Sequence, residues 1–186
     1  MSQSDDTRKL LILDIDETLL YATEEALSRP ADFVIYDYHI DLRPHLGRFL
    51  RYALERFRVA VWTSSGSMYA GQVIDRIFPS RDVLEFFWAA ERCTVRFDPE
   101  CQEKYNLKQL KKVRRRGYRL EHVLFVDDTP KKHEKNYGNL IQVREYDGNP
   151  DDNELLCLEW YLELLEPVTN VRAVEKRGWR RQVDCS

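Results

Sequence analysis

A chain of 186 residues is long enough for one domain with a real core, and 43% hydrophobic against 33% charged residues is the balance of an ordinary globular protein. The 29 basic and 32 acidic side chains leave a formal net charge of −3, which argues against a general nucleic-acid binder though not against a local basic patch. Met1–Lys9 is polar, no apolar run approaches the length of a bilayer span, and Cys93, Cys101, Cys157 and Cys185 show neither a CxxC pair nor zinc spacing. The expectation is therefore a cytoplasmic protein with reduced thiols.

In chain order, residues 1–8 read as a short flexible arm and Leu10–Leu13 as a strand buried on both faces, because four apolar residues run together between polar ones. Tyr21–Pro30 reads as a polar connection. Phe33–Ile40, rich in β-branched and aromatic residues, reads as one arm of a hairpin, its period-two pattern setting Val34, Tyr36, Tyr38 and Ile40 opposite Phe33, Ile35, Asp37 and His39. Pro44 suits the first turn of a helix whose stripe is Leu46, Phe49, Leu50, Ala53 and Phe57.

Arg58–Trp62 is a second core strand. Ala70, Val73, Ile74 and Ile77 mark a helix stopped by Pro79, and Phe86–Ala89 a third strand. Leu107, Leu110 and Val113 suggest a helix ending near Gly117; His122–Val126 and Leu140–Val143 are the fourth and fifth strands. Asp151, with Glu154 three residues on, has the pattern of a capping box for a helix edged by Leu155, Leu158, Leu162 and Leu165. The fold class is α/β: a Rossmann-like parallel sheet with helices on both faces, a β-hairpin flap and no cap domain. The domain covers residues 9–166, and 167–186 form a separate tail.

Asp14 and Asp16 stand two apart at the end of the first strand, so both can project the same way. Such carboxylates repel unless a cation or a division of labour holds them; Mg²⁺ takes oxygen ligands, and an ionised Asp can attack phosphorus. The plain alternative is an Asp-rich turn after a strand. Two further polar clusters at strand ends, Thr63/Ser64 and Asp127/Asp128, weigh against it, because ligands of open parallel sheets bind beyond the carboxyl ends of the strands. Four carboxylates gathered there require strong compensation.

Asp14-Ile15-Asp16-Glu17-Thr18, Trp62-Thr63-Ser64-Ser65, a lysine and Val126-Asp127-Asp128-Thr129-Pro130 resemble, in order, the four motifs of the haloacid dehalogenase superfamily. The nearer likeness is to its capless branch, which holds the small phosphatases of the RNA polymerase II C-terminal domain and the NLI-interacting-factor-like proteins; Arg43-Pro44-His45-Leu46, Glu91-Arg92-Cys93 and Lys108-Gln109-Leu110 also resemble pieces of it. The resemblance runs from about Lys9 to Leu165.

It implies a phosphatase that works through an aspartyl-phosphate. Asp14 would be the nucleophile and Asp16 the acid and then the base. Thr63, Ser64 and Lys108 would bind phosphoryl oxygens. Mg²⁺ would be held by the Asp14 side chain, the Asp16 main-chain carbonyl, Asp127 and Asp128. Lys104 is the rival for the lysine; Lys108 is preferred because Lys-x-Leu before a helix and Gly117 fits the family pattern, although Gln109 replaces its usual Asp. Asp128 stands where the polymerase phosphatases carry Asn, so Asp128 is expected on the metal and Asp127 on Lys108.

The basic stretch Lys108, Lys111, Lys112, Arg114, Arg115, Arg116 and Arg119 is ordinarily the solvated face of a helix; the alternative is a patch that attracts an acidic or phosphorylated partner. Three functions fit: a phosphoprotein phosphatase, a phosphatase of nucleic-acid ends or small esters, and a binding module without catalysis. Neither Asp14–Thr63 nor Thr63–Lys108 can house a lid domain. An open site suits a phosphorylated macromolecule, protein first and nucleic-acid end second, with no membrane partner.

Overall fold

The computed structural model describes residues 7–183. In chain order its strands and helices are β1 (Leu10–Leu13), β2 (Leu20–Thr23), β3 (Phe33–Ile35), β4 (Tyr38–Leu42), α1 (Leu46–Arg56), β5 (Arg58–Trp62), α2 (Ser67–Ile77), β6 (Phe87–Trp88), β7 (Thr94–Asp98), β8 (Glu103–Leu107), α3 (Lys111–Arg114), β9 (Val123–Asp127), β10 (Leu140–Gln142) and α4 (Glu154–Leu165). Five strands form a parallel sheet in the order β10-β9-β1-β5-β6. All five are the strands expected from the sequence.

The apolar runs explain the central position of β1. Leu11 and Leu13 enter one core with Val59, Val61, Leu124 and Val126, while Leu10 and Ile12 enter another with Ala60, Trp62, Val123 and Phe125. Alternate side chains thus serve opposite faces, and each fully buried Leu, Val or Ile is worth about 1.5–3 kcal/mol. The first core is covered by Phe49, Leu50 and Ala53 of α1, Val73 and Ile74 of α2, and Leu155, Leu158 and Leu162 of α4. The second is covered by Leu110, Val113, Phe86 and Trp88.

Local departures have physical causes. Phe33–Ile40 is a whole tight hairpin rather than one arm: Ile35 pairs with Tyr38, and Tyr36 turns the chain at φ 53°. The turn resets the alternation, so Ile35 and Ile40 are both buried while Val34, Tyr36 and Tyr38 are exposed. Tyr21 lies in β2, which pairs with β4 and makes the flap three-stranded. Leu107 ends β8 of a second hairpin, leaving α3 only four residues. α4 starts at Glu154 without a side-chain cap. Asp152 rather than Asp151 accepts from the Glu154 amide (3.0 Å) and from Arg43 (2.8 Å), and the buried Glu154 carboxylate takes the Arg144 amide (2.9 Å) and Arg180.

Residues 167–183, read from sequence as a separate tail, pack on the domain. Val171 and Trp179 are buried in the first core. The Trp179 ring stacks on Tyr161 at 5.2 Å, and its Nε1 donates to the Gln142 carbonyl (2.8 Å). The basic neighbours of Trp179 hid this in the sequence. Cys93 and Cys101 are free, as expected; Cys157 is disulfide-bonded, against the expectation of reduced thiols, because sequence spacing carries no information on a pairing made by the tertiary fold. Cys185 and most of the expected arm (residues 1–6) lie outside the described residues.

Candidate active site

Because β1, β5 and β9 are parallel neighbours, their carboxyl ends share one edge of the sheet, and the polar residues that follow them meet there. The Asp14 amide donates to the Val126 carbonyl (3.0 Å) and the Thr63 amide to the Trp88 carbonyl (2.9 Å), so the backbone of both residues is still tied to the sheet where their side chains leave it. Asp127 is the last residue of β9.

Among the described residues, Asp14, Asp127 and Asp128 each offer a carboxylate oxygen within 4.8 Å of the others. The fully buried Lys108 bridges the first two, its Nζ 2.7 Å from Asp14 Oδ2 and 2.6 Å from Asp127 Oδ2. Lys132 lies 3.0 Å from Asp14 Oδ2, 3.6 Å from Asp127 Oδ1 and 3.8 Å from Asp128 Oδ1. The backbone supplies more donors: the Ile15 amide to Asp14 Oδ1 (2.9 Å) and the Thr129 amide to Asp127 Oδ1 (2.9 Å). Asp128 accepts from Thr129 Oγ1 (2.6 Å) and Thr18 Oγ1 (3.3 Å).

These surroundings divide the carboxylates electrostatically. Burial, then repulsion from Asp127, pushes Asp14 up to about 6, with Lys108 and Lys132 pulling the other way. Burial also acts to raise Asp127, but Lys108, the His133 ring and Lys132 outweigh it and hold the group well below the usual carboxylate range. His133 Nε2 lies 2.8 Å from Asp127 Oδ2, and burial holds that imidazole below its ordinary value.

Asp16 faces different company. Its Oδ2 accepts from Ser65 Oγ at 2.6 Å, with Thr63 Oγ1 at 3.5 Å, and its Oδ1 accepts from Tyr69 Oη at 2.8 Å. Ser65 lies in the turn leading into α2 and Tyr69 in its first turn, so the end of β5 and the start of α2 together grip this carboxylate. Thr63 Oγ1 also accepts from the Ser65 amide (3.0 Å), which tightens the turn. The Ser64 hydroxyl is buried.

The structure thus brings Asp14, Asp16, Thr63, Ser64, Lys108, Asp127 and Asp128 to one edge, and it separates Lys104, which is exposed on β8. Sequence reasoning missed Lys132, Ser65, Tyr69 and His133. Lys132 follows the fourth motif closely, but its neighbour Lys131 pairs with Asp98 instead, and nothing in the sequence separates the two. Of the basic stretch, Lys108 is at the site. Lys111, Arg114, Arg115 and Arg119 are exposed, and the Arg116 guanidinium lies 5.1 Å over the Phe86 ring.

Two hairpins flank this edge. Tyr38 of the first meets Tyr69 edge-on with ring centroids 5.9 Å apart. Asn106 of the second donates to the Ser64 carbonyl (3.4 Å). Exposed apolar side chains stand on both, Val34 and Tyr36 on one and Val95 and Phe97 on the other, with Met68 between them in sequence beside Tyr69.

Comparison with known proteins agrees with this geometry. The NLI interacting factor-like phosphatase family matches residues 9–172. CTD nuclear envelope phosphatase 1 of Xenopus tropicalis is 28% identical over 186 residues, covering 92% of this chain and 72% of that protein. A probable C-terminal domain small phosphatase of Dictyostelium discoideum is 29% identical over 174 residues, covering 89% and 53%. The fission yeast RNA polymerase II CTD phosphatase Fcp1 shares the fold, with a TM-score of 0.58, 20% identity and coverage of 88% of this chain and 53% of that one. The chain therefore spans about half of Fcp1 and of the Dictyostelium protein. The expectation of a cytoplasmic protein is overturned by the nuclear envelope phosphatases among these relatives, since a polar start and the lack of a long apolar run do not fix a compartment. Among the described residues no helix is long and apolar enough to cross a membrane. The sheet, the acidic edge and a family match over residues 9–172 lead to one conclusion: the chain belongs to the NLI interacting factor-like phosphatases and is a phosphatase of haloacid dehalogenase-like fold.

Proposed function

We propose that this protein is a Mg²⁺-dependent phosphoprotein phosphatase that works through an aspartyl-phosphate on Asp14. One observation carries the reading: Asp14 and Asp16 leave the same strand end, one against two ammonium groups and the other against two hydroxyl donors. In the first step an Asp14 carboxylate oxygen forms a bond to phosphorus as the ester P–O bond breaks, and Asp16 gives its proton to the leaving oxygen. In the second, Asp16 takes a proton from water, the water oxygen bonds to phosphorus, and the bond to Asp14 breaks to release phosphate. Lys108, Thr63 and Ser64 are assigned to the phosphoryl oxygens, where negative charge needs fixed donors.

The donor set of Asp14, Asp127 and Asp128 is all oxygen and all carboxylate, which fits a hard divalent ion; the main-chain carbonyl of Asp16 is assigned as a further ligand. When bound, Mg²⁺ shields the phosphate from the attacking carboxylate and offsets the charge of the cluster. The catalytic unit we infer is residues 9–166 with 167–183 packed against it.

Phosphoprotein is favoured over a nucleic-acid end by the surface around the site, where exposed Tyr36, Tyr38, Met68, Val95 and Phe97 offer apolar contacts to a peptide rather than a basic track for a phosphate backbone. The names of the relatives, which include CTD phosphatases, agree with a phosphorylated protein. The test is a side-by-side assay of phosphopeptides, phosphorylated oligonucleotides and aryl phosphate with Mg²⁺ or EDTA, on the wild type and Asp14→Asn. Phosphopeptide turnover that needs both Mg²⁺ and Asp14 is expected. Normal turnover by Asp14→Asn sinks the mechanism, and preference for oligonucleotide ends sinks the substrate class.

A further inference from the structure

We propose that Lys132 is an internal counter-ion that stands in the divalent-cation position and must swing out before the ion binds. The inference rests on the reading of Asp14, Asp127 and Asp128 as the ion's ligands. The Lys132 ammonium donates to Asp14 at 3.0 Å and stands 3.6 and 3.8 Å from Asp127 and Asp128, so it faces all three members of the set. Mg²⁺ takes its oxygen ligands at about 2.0–2.1 Å. An ion drawn to the same three groups would lie against the ammonium, and like charges at that range repel strongly where burial has thinned the water.

The two lysines of the cluster are not equivalent. Lys108 is fully buried and lies beside two of the carboxylates. Lys132 keeps 19% of its side chain exposed, so its flexible stem has a way out to solvent. Its backbone stays in place, because its amide donates to the Thr129 carbonyl (3.2 Å) and its carbonyl accepts from the Lys108 amide (2.8 Å). Three carboxylates facing two ammonium groups leave one uncompensated negative charge; exchange of Lys132 for a dication brings the cluster to neutrality. The fold therefore holds its acidic edge together without the ion, at the cost of weaker ion binding.

Two measurements test this without relying on turnover. Calorimetric titration with MgCl₂ at constant ionic strength should show Lys132→Met binding the ion tighter than wild type by about tenfold or more, the change that about 1.4 kcal/mol of relieved competition gives. In EDTA the same variant should melt below wild type, and Mg²⁺ should raise its Tm by more; Lys132→Arg, which keeps the charge, should resemble wild type in both. Equal or weaker Mg²⁺ binding by Lys132→Met overturns the proposal while leaving the ion site standing. Mg²⁺ binding by neither protein overturns the ion site and the proposal together. Should the variant fail to fold in EDTA, acetylation of wild-type lysines read by mass spectrometry decides. Labelling of Lys132 should rise several-fold on adding Mg²⁺ while the exposed Lys104 stays constant, and unchanged Lys132 labelling overturns the proposal.

Discussion

Asp14 and Asp16 are two residues apart, yet their surroundings are opposite. Asp14 is 1% exposed, beside the buried Asp127, with two lysines on one of its oxygens. Asp16 is half-buried and receives hydroxyls from Ser65 and Tyr69. The two ammonium groups oppose the burial that pushes Asp14 up, and so favour the anion proposed to take on the phosphoryl group. The hydroxyl donors orient the carboxylate proposed to exchange a proton in each step. Identical side chains on one strand end are thus differentiated by what the next strands bring to them: β9 and the turn after it furnish Asp127 and Lys132, while β5 and α2 furnish Ser65 and Tyr69.

The sharpest way to break this comparison is to exchange the outcomes. Asp14→Asn should abolish turnover of every substrate, because an amide forms no acyl-phosphate. Asp16→Asn should lower kcat/KM, which reports the steps up to departure of the leaving oxygen, by roughly 10²–10⁴-fold on alkyl phosphates, whose leaving oxygen needs a proton, and far less on aryl phosphates, which leave well without one. Steady-state assays on a matched alkyl and aryl pair decide. Equal losses of kcat/KM on both substrates would remove Asp16 as the acid of the first step.

Next in size is the lysine that compensates Asp14. Lys108 touches Asp14 and Asp127, whereas Lys104 is exposed on β8. Lys108→Ala should lower kcat by about 10²-fold or more, the scale of one lost transition-state donor. Lys104→Ala should be mild. The reverse order would place the phosphoryl group elsewhere than beside Asp14.

Much of this was legible before the structure, and the reason is local. Leu10–Leu13, Arg58–Trp62 and the strand ending at Asp127 are unbroken apolar runs, and parallel sheets put the ends of such runs on one edge, so Asp14, Thr63 and Asp127 could be grouped from spacing alone. Ser65 and Tyr69 were not legible, because their contact with Asp16 depends on how α2 leaves β5, which no periodicity reports. The second hairpin was missed for a different reason. Leu107 reads as the start of a helix with Leu110 and Val113, but it closes β8 and the other two cover the sheet beyond it. Trp179 was read as part of a basic tail because its cover, Tyr161 and the Gln142 carbonyl, is remote in sequence.

A smaller effect sharpens the Asp16 side. Tyr69 Oη holds Asp16 Oδ1, and burial raises the tyrosine far above its ordinary range, so it remains a donor across the working pH. Tyr69→Phe keeps the ring that meets Tyr38 and removes only that donor. The loss of kcat/KM should be about tenfold on alkyl phosphates, the scale of about 1.4 kcal/mol for one hydrogen bond to a charged group, and smaller on aryl phosphates. A loss of kcat/KM of the same size on both would remove Tyr69 from support of the leaving-group proton.

The smallest expected effect is on stability and concerns Glu17, which lies between the two environments. Burial, then Asp16 and Asp128, push its carboxyl up to about 7, with Lys132 opposing. Below the ordinary value of about 4.5 the group is protonated folded and unfolded, and its favourable contribution is complete. Between there and about 7 the unfolded chain releases the proton while the folded one keeps it, so stability falls as pH rises and levels off above about 7. Partial exposure lets water screen the group, which keeps the effect modest. Glu17→Gln carries no titrating group, so in EDTA its Tm should decline less than that of wild type from pH 4.5 to 7 and lie a few °C higher above pH 7, at about 2–4 °C per kcal/mol for a chain of this size. Added Mg²⁺ should narrow the difference by offsetting Asp128, one of the charges that raise Glu17. Parallel melting curves for the two proteins across this range would show that Glu17 ionises freely and that the negative field of the acidic edge does not reach it.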